Sequence, residues 1–105
     1  MPKIYEFEFD ASPEQVFEET VSAVNVLGFS ILESDDGSLT FNTGPSIFSN
    51  AGQDMTVTAE ALSESSSRLV LSGQVAARGE YGSWGERGRI AKGLAAKVRE
   101  RLVAP

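Results

Sequence analysis

The stretch MTVTAEALSESSSRLVLSGQV, residues 55–75, decides the fold class. Met55, Val57, Ala59 and Ala61 alternate with Thr56, Thr58 and Glu60, and then Leu69, Leu71, Gly73 and Val75 alternate with Val70, Ser72 and Gln74. A period of two puts each set on one face of an extended strand. The serine-rich run Ser63 to Ser67 between them is far shorter than the crossover of about a dozen residues that a parallel pair needs. The two strands are therefore predicted as antiparallel neighbours with a shared apolar face.

Moving toward the amino terminus, Leu39 to Thr43 and Phe29 to Glu33 read as two more strands, joined by the tight turn Asp35-Asp36-Gly37-Ser38. The segment Gly44 to Gln53 is a loop by its Gly, Pro, Ser and Asn content, yet it carries Ile47 and Phe48 side by side. Upstream, Ser12-Pro13-Glu14-Gln15 is a capping box with proline at the first helical position. The spacing predicts a helix from Pro13 to Leu27, with Val16, Phe17, Thr20, Val21, Ala23, Val24 and Leu27 on one arc and Glu14, Glu18 and Glu19 outside it. Gly28 suits a left-handed position after that helix, with Phe29 folding back onto Val24. Lys3 to Asp10 alternates strictly, with Tyr5, Phe7 and Phe9 on one face and Glu6, Glu8 and Asp10 on the other, and is the first strand.

Toward the carboxyl terminus, Ser83-Trp84-Gly85-Glu86 is a second capping box. The helix it opens has an apolar arc of Ile90, Ala91, Leu94, Ala95, Val98 and Leu102, while Arg89, Lys92, Lys97 and Arg99 lie off the arc as a solvated face. Arg87 occupies the next slot back on the apolar stripe, where it either snorkels from the first turn or points into a groove and meets an anionic group. The whole is an α+β chain, a five-stranded antiparallel sheet in the order β-α-β-β-β-β-α with both helices on one face. At 105 residues it is expected to form a single domain, residues 1–105.

Composition excludes several chemistries. The chain has no cysteine and no histidine, which removes disulfides, thiol nucleophiles, thiolate or imidazole metal sites and histidine acid/base work. No apolar run approaches the roughly 20 residues that span a bilayer, and the amino terminus lacks the basic-then-apolar pattern of a signal peptide; no membrane role and a cytoplasmic placement are the expectation. The net charge of −6 is uneven: residues 1–66 hold 12 acidic and 1 basic side chain, residues 67–105 hold 3 acidic and 8 basic. Acidic and basic surfaces either neutralise each other across one compact fold or set a basic helix toward an acidic partner.

Gly79, Gly82, Gly85 and Gly88 invite a phosphate-loop reading, but their spacing fits neither the dinucleotide fingerprint nor the Walker A pattern, and Glu80 and Glu86 oppose an anion. They are expected to turn the chain sharply from the last strand and let Trp84 pack. Glu6, Glu8 and Asp10, and Glu33, Asp35 and Asp36, are what a solvated strand and a polar turn contain, so no catalytic residues, no metal and no cofactor are assigned. Asp35-Asp36-Gly37 lacks the further ligands of a calcium loop.

The order of elements resembles the single repeat of TATA-box-binding proteins and, more loosely, the helix-grip domains of the START and pollen-allergen type. Ser46-Ile47-Phe48-Ser49 and Ser83-Trp84-Gly85, followed by Arg87 and the terminal helix, are similar to a family of small uncharacterised bacterial α+β domains. That last resemblance implies a fold and no activity; the helix-grip resemblance implies apolar ligand binding between helix and sheet. The acidic outward positions Glu6, Glu8 and Glu60 argue against nucleic acid on the sheet. Two functions follow. The first is a non-catalytic binding module for a small apolar or amphipathic ligand, with an anionic group as an option. Its groove is lined by Phe41, Val57, Leu94 and Val98, with Ile47, Phe48, Tyr81, Trp84 and Arg87 at its mouth. The second is an interaction or assembly domain docking a protein partner or a second copy through the 44–53 loop or a sheet edge.

Overall fold

The computed structural model describes residues 4–44, 53–75 and 83–103, and the side chains of these except 53, 74, 75 and 83–87. The elements are β1 (Ile4–Phe9), α1 (Pro13–Val26), β2 (Ser30–Asp35), β3 (Ser38–Asn42), β4 (Gln53–Ala61), β5 (Ser67–Val75) and α2 (Ser83–Val103). The sheet runs β1-β5-β4-β3-β2, antiparallel throughout, so the first strand closes onto the last and β2 is left at the opposite edge. The expected order and class are those observed. Boundaries differ by one or two residues: β2 continues through Asp35, and β4 and β5 each start two residues before the periodic stretch.

Register explains the core. Tyr5 pairs with Leu71, Leu71 with Val57 and Val57 with Leu39, which places one apolar row across the sheet under the helices. A second row runs Phe7, Leu69 and Ala59, and a third Gly73, Met55, Phe41 and Ile31. Against these rows α1 lays Val16, Thr20, Ala23 and Val24, and α2 lays Ala91, Leu94, Ala95 and Val98, all buried. Small side chains on both helices let them pack on each other as well as on the sheet.

The first helix begins and ends as its sequence dictates. The Gln15 N–H donates to Ser12 Oγ at 3.2 Å, with Pro13 at the first turn. At the other end Gly28 takes φ +80°, and the Gly28 and Phe29 N–H groups donate to the Asn25 and Val24 carbonyls at 3.1 Å each. This pair of bonds is the Schellman arrangement, and it folds Phe29 back so that its ring stacks on Phe41 with centroids 5.4 Å apart.

Two charged residues assigned to solvent do more than that. Arg99 lies with its guanidinium carbon 4.6 Å from the centroid of the Phe9 ring and donates from Nη2 to the Glu8 carbonyl at 3.3 Å, so it covers the β1 edge of the core. Glu19 accepts from Arg101 Nε at 2.9 Å and ties α1 to the last turn of α2. Helix wheels miss both because they report direction relative to a helix's own core face and not what stands beside the flank. Among the described residues no helix is long and apolar enough to cross a membrane.

Candidate functional site

The antiparallel order sorts the connections to two ends of the sheet. At one end lie the start of β1, the end of α1 with the start of β2, the end of β3, the start of β4, the end of β5 and the start of α2. At the other lie the β1–α1 connection, the β2–β3 turn, the β4–β5 turn and the end of α2. Residues 45–52 connect Gly44 to β4, and residues 76–82 connect β5 to α2, so the strand ends that flank Ile47, Phe48 and Tyr81 meet at the first end. Trp84 and Arg87 belong to the first turns of α2 at that same end. Ile47, Phe48 and Tyr81, and the side chains of Trp84 and Arg87, lie outside the described residues.

The apolar surface at this end was not expected from periodicity. Val26 and Leu27 at the close of α1, and Ile31 and Leu32 in β2, are exposed, Leu32 at 56% of its full area. Ile31 pairs with Phe41 and Glu33 with Thr40, so Leu32 is the extra residue of a β-bulge. The sequence did hold one sign of this. Ile31 and Leu32 are adjacent, and no regular strand buries two neighbours on one face. Half-buried Phe29 joins them to the core through Phe41.

The groove expected between α2 and the sheet is not open along its length. Phe41, Val57, Leu94 and Val98 all have 0% exposure and belong to the packed core. The physical reason is the mutual packing of the two helices: α1 and α2 touch along their facing sides, and the Glu19–Arg101 pair holds them there. Among the described residues, the sheet beneath these positions of α2 is packed and leaves no open groove.

The helix-free sheet face is polar. Ser38 and Thr58 hydroxyls lie 3.3 Å apart and those of Thr40 and Thr56 3.1 Å apart, while Asn42 donates to Asp54 at 2.7 Å. Glu6, Glu8, Glu33, Asp35 and Glu60 occupy outward register positions with Arg68, whose Nε is 4.0 Å from Glu6 Oε2. No group of three metal-ligating side chains is placed to hold an ion among the described residues.

No protein-family model and no curated protein matches the chain. Solved structures do. The chain superposes on the di-domain ARO/CYC StfQ from the steffimycin biosynthetic pathway with a TM-score of 0.60 at 15% identity, over 93% of its own length and 44% of that protein's. It is therefore less than half as long as StfQ. A conserved protein from Geobacillus kaustophilus aligns at 9% identity and a TM-score of 0.56 over 96% of this chain and 94% of that one. Ara h 8.0201 aligns at 11% identity and 0.56 over 100% of both. The fold is helix-grip-like. At these identities the likeness concerns the fold alone. The two ends of the sheet differ: the short β2–β3 and β4–β5 turns lie at one, and the exposed Val26, Leu27, Ile31 and Leu32 lie at the other.

Proposed function

We propose that this chain is a small non-catalytic binding module of helix-grip type. Its site lies at the end of the sheet where α1 stops and α2 starts, and it takes an apolar or amphipathic ligand whose anionic group, when present, is met by Arg87. One observation carries the reading. Val26, Leu27, Ile31 and Leu32 are exposed at the very end where the strand ends flanking the Ile47/Phe48 and Tyr81 segments meet, while the core beneath is closed. Exposed apolar surface gathered in one place marks an interaction site, whereas scattered single residues do not. Arg87 supplies the charge suited to a carboxylate or phosphate head. Nucleic acid on the sheet, which the TATA-box-binding resemblance implies, is opposed by the carboxylates of the outward face.

Trp84 reports on this site. Its fluorescence, titrated with fatty acids of graded length and with aromatic carboxylates, is expected to shift and saturate, with Arg87→Ala weakening the acids more than the corresponding alcohols. A flat response across the panel sinks the ligand reading. A protein-docking reading stands second, favoured by β2: all six of its residues are exposed at a free sheet edge, and a free edge accepts a further strand. Light scattering across a dilution series, and native mass spectrometry of the purified chain, separate a second copy or bound protein from a small molecule.

A further inference from the structure

The opposite end of the molecule holds a separate cleft of about 390 Å³ between the first turns of α1, the β2–β3 turn and the end of β4. It is lined by Pro13, Phe17, Gly37, Ala59 and Ala61 together with the acidic residues Glu14 and Asp36. The hollow has a sequence cause: β4 presents Ala59 and Ala61 under the start of α1, where a larger side chain would fill the space. Both carboxylates stand on fixed backbone. The Ser12 cap and Pro13 set the first turn that carries Glu14. The Ala59 N–H donates to the Gly37 carbonyl at 2.9 Å, which pins the turn carrying Asp36 against β4, and Gly37 at φ +79° makes that turn possible. The Asp36 N–H is used locally, donating to Asp35 Oδ1 at 2.9 Å. The carboxylates of Glu14 and Asp36 meet no cation among the described residues.

We infer that this cleft binds a small organic cation, an ammonium group on an apolar body. The volume is that of a small-molecule site. The aromatic and methyl surface of Phe17, Ala59 and Ala61 suits a hydrocarbon body, and two carboxylates of one sign at the rim select the charge of the head group and repel anions. Two carboxylates on an apolar floor do not suit a hard divalent ion, which needs more oxygen ligands. This site is independent of the one proposed at the far end of the sheet, and neither depends on the other.

The test is a titration of the full chain with 2-phenylethylammonium, followed by amide chemical shifts, with 2-phenylethanol and phenylacetate as neutral and anionic probes of the same shape. The expected result is saturable shifts at Phe17, Gly37, Ala59 and Ala61 with the ammonium, and none or far weaker ones with the other two. Asp36→Asn, an exposed turn substitution, is expected to weaken ammonium binding about threefold, as an exposed charge contact does, and added salt is expected to weaken it further. Ala59→Leu is expected to abolish binding by filling the hollow. If Ala59→Leu fails to fold, the Asp36→Asn comparison and the probe series decide. Equal response to all three probes, shifts located elsewhere, or no response overturns the inference.

Discussion

Ser67 offers a prediction with an unusual sign. Its side chain has 0% exposure, and Oγ has no hydrogen-bond partner among the described residues. In register it stands between Phe9 on β1 and Ala61 on β4, on the apolar face of the sheet. A buried hydroxyl that exchanges water for nothing costs about 1–3 kcal/mol. Ser67→Ala removes that cost and leaves a void of roughly one oxygen atom, about 10–15 Å³, which at about 24 cal/mol per Å³ costs about 0.3 kcal/mol. The net expectation is a gain of about 1 kcal/mol, which for a domain of this size corresponds to a melting temperature higher by about 5 °C. Urea unfolding followed by circular dichroism measures it: the midpoint should rise with the slope unchanged. Thr20→Val is the control, because the equally buried Thr20 hydroxyl donates to the Val16 carbonyl at 2.7 Å and its removal should bring no gain. A Ser67→Ala variant that loses stability, or gains no more than Thr20→Val, refutes the reasoning and means that Oγ has a partner in solution.

Leu94→Ala, at a fully buried position of α2, is expected to destabilise the fold by about 2–5 kcal/mol in the same urea assay; a loss under 1 kcal/mol would mean that the helix–sheet seam has room to collapse. Gly37→Ala forces a side chain into φ +79° and should cost about 1 kcal/mol or more, although the space around it is open, with Ala59 O the nearest atom at 3.8 Å. A double-mutant cycle on Glu19 and Arg101 should return a coupling of about 0.5–1 kcal/mol that shrinks with added salt, since both side chains keep contact with solvent. A coupling of zero would assign the joining of α1 and α2 to apolar packing alone.

The fold was legible because three independent signals agreed. Strict alternation in residues 4–9, 55–61 and 69–75, a capping signal ahead of the first helix, and turns too short for parallel crossovers left one arrangement. What the sequence did not disclose depended on relations between elements. Arg99 over Phe9 and Glu19 with Arg101 join positions 90 and 82 residues apart, and no local pattern carries such pairs. The closed seam under α2 had the same origin: Leu94 and Val98 look equally apolar whether they line a groove or fill a core. Only the approach of α1 to α2 decides between these. Of the candidate site residues, the backbone of Trp84 and Arg87 lies in the first turns of α2, while Ile47, Phe48 and Tyr81 lie outside the described residues.

The charge asymmetry gains its meaning from the same order. Acidic residues dominate the chain before β5 and basic ones the chain after it, and the fold interleaves the two, so α2 carries Arg99 to β1 and Arg101 to α1, where they cover apolar edge and bind helix to helix. Once those cations are committed, the carboxylates of Asp36 in the β2–β3 turn and of Glu14 in the first turn of α1 meet no cation among the described residues. Among the described residues the ion pairs lie on the α2 and β5 side, and the acidic residues of the β2–β3 turn meet no cation. The two proposed sites therefore call for ligands of opposite charge: the one at the start of α2 relies on Arg87, and the one at the other end on Glu14 and Asp36 over an alanine floor. A ligand panel that varies only in head-group charge, read residue by residue, should divide between the two ends accordingly. Anions and cations competing for the same amides would show instead that charge plays no part in what this surface selects.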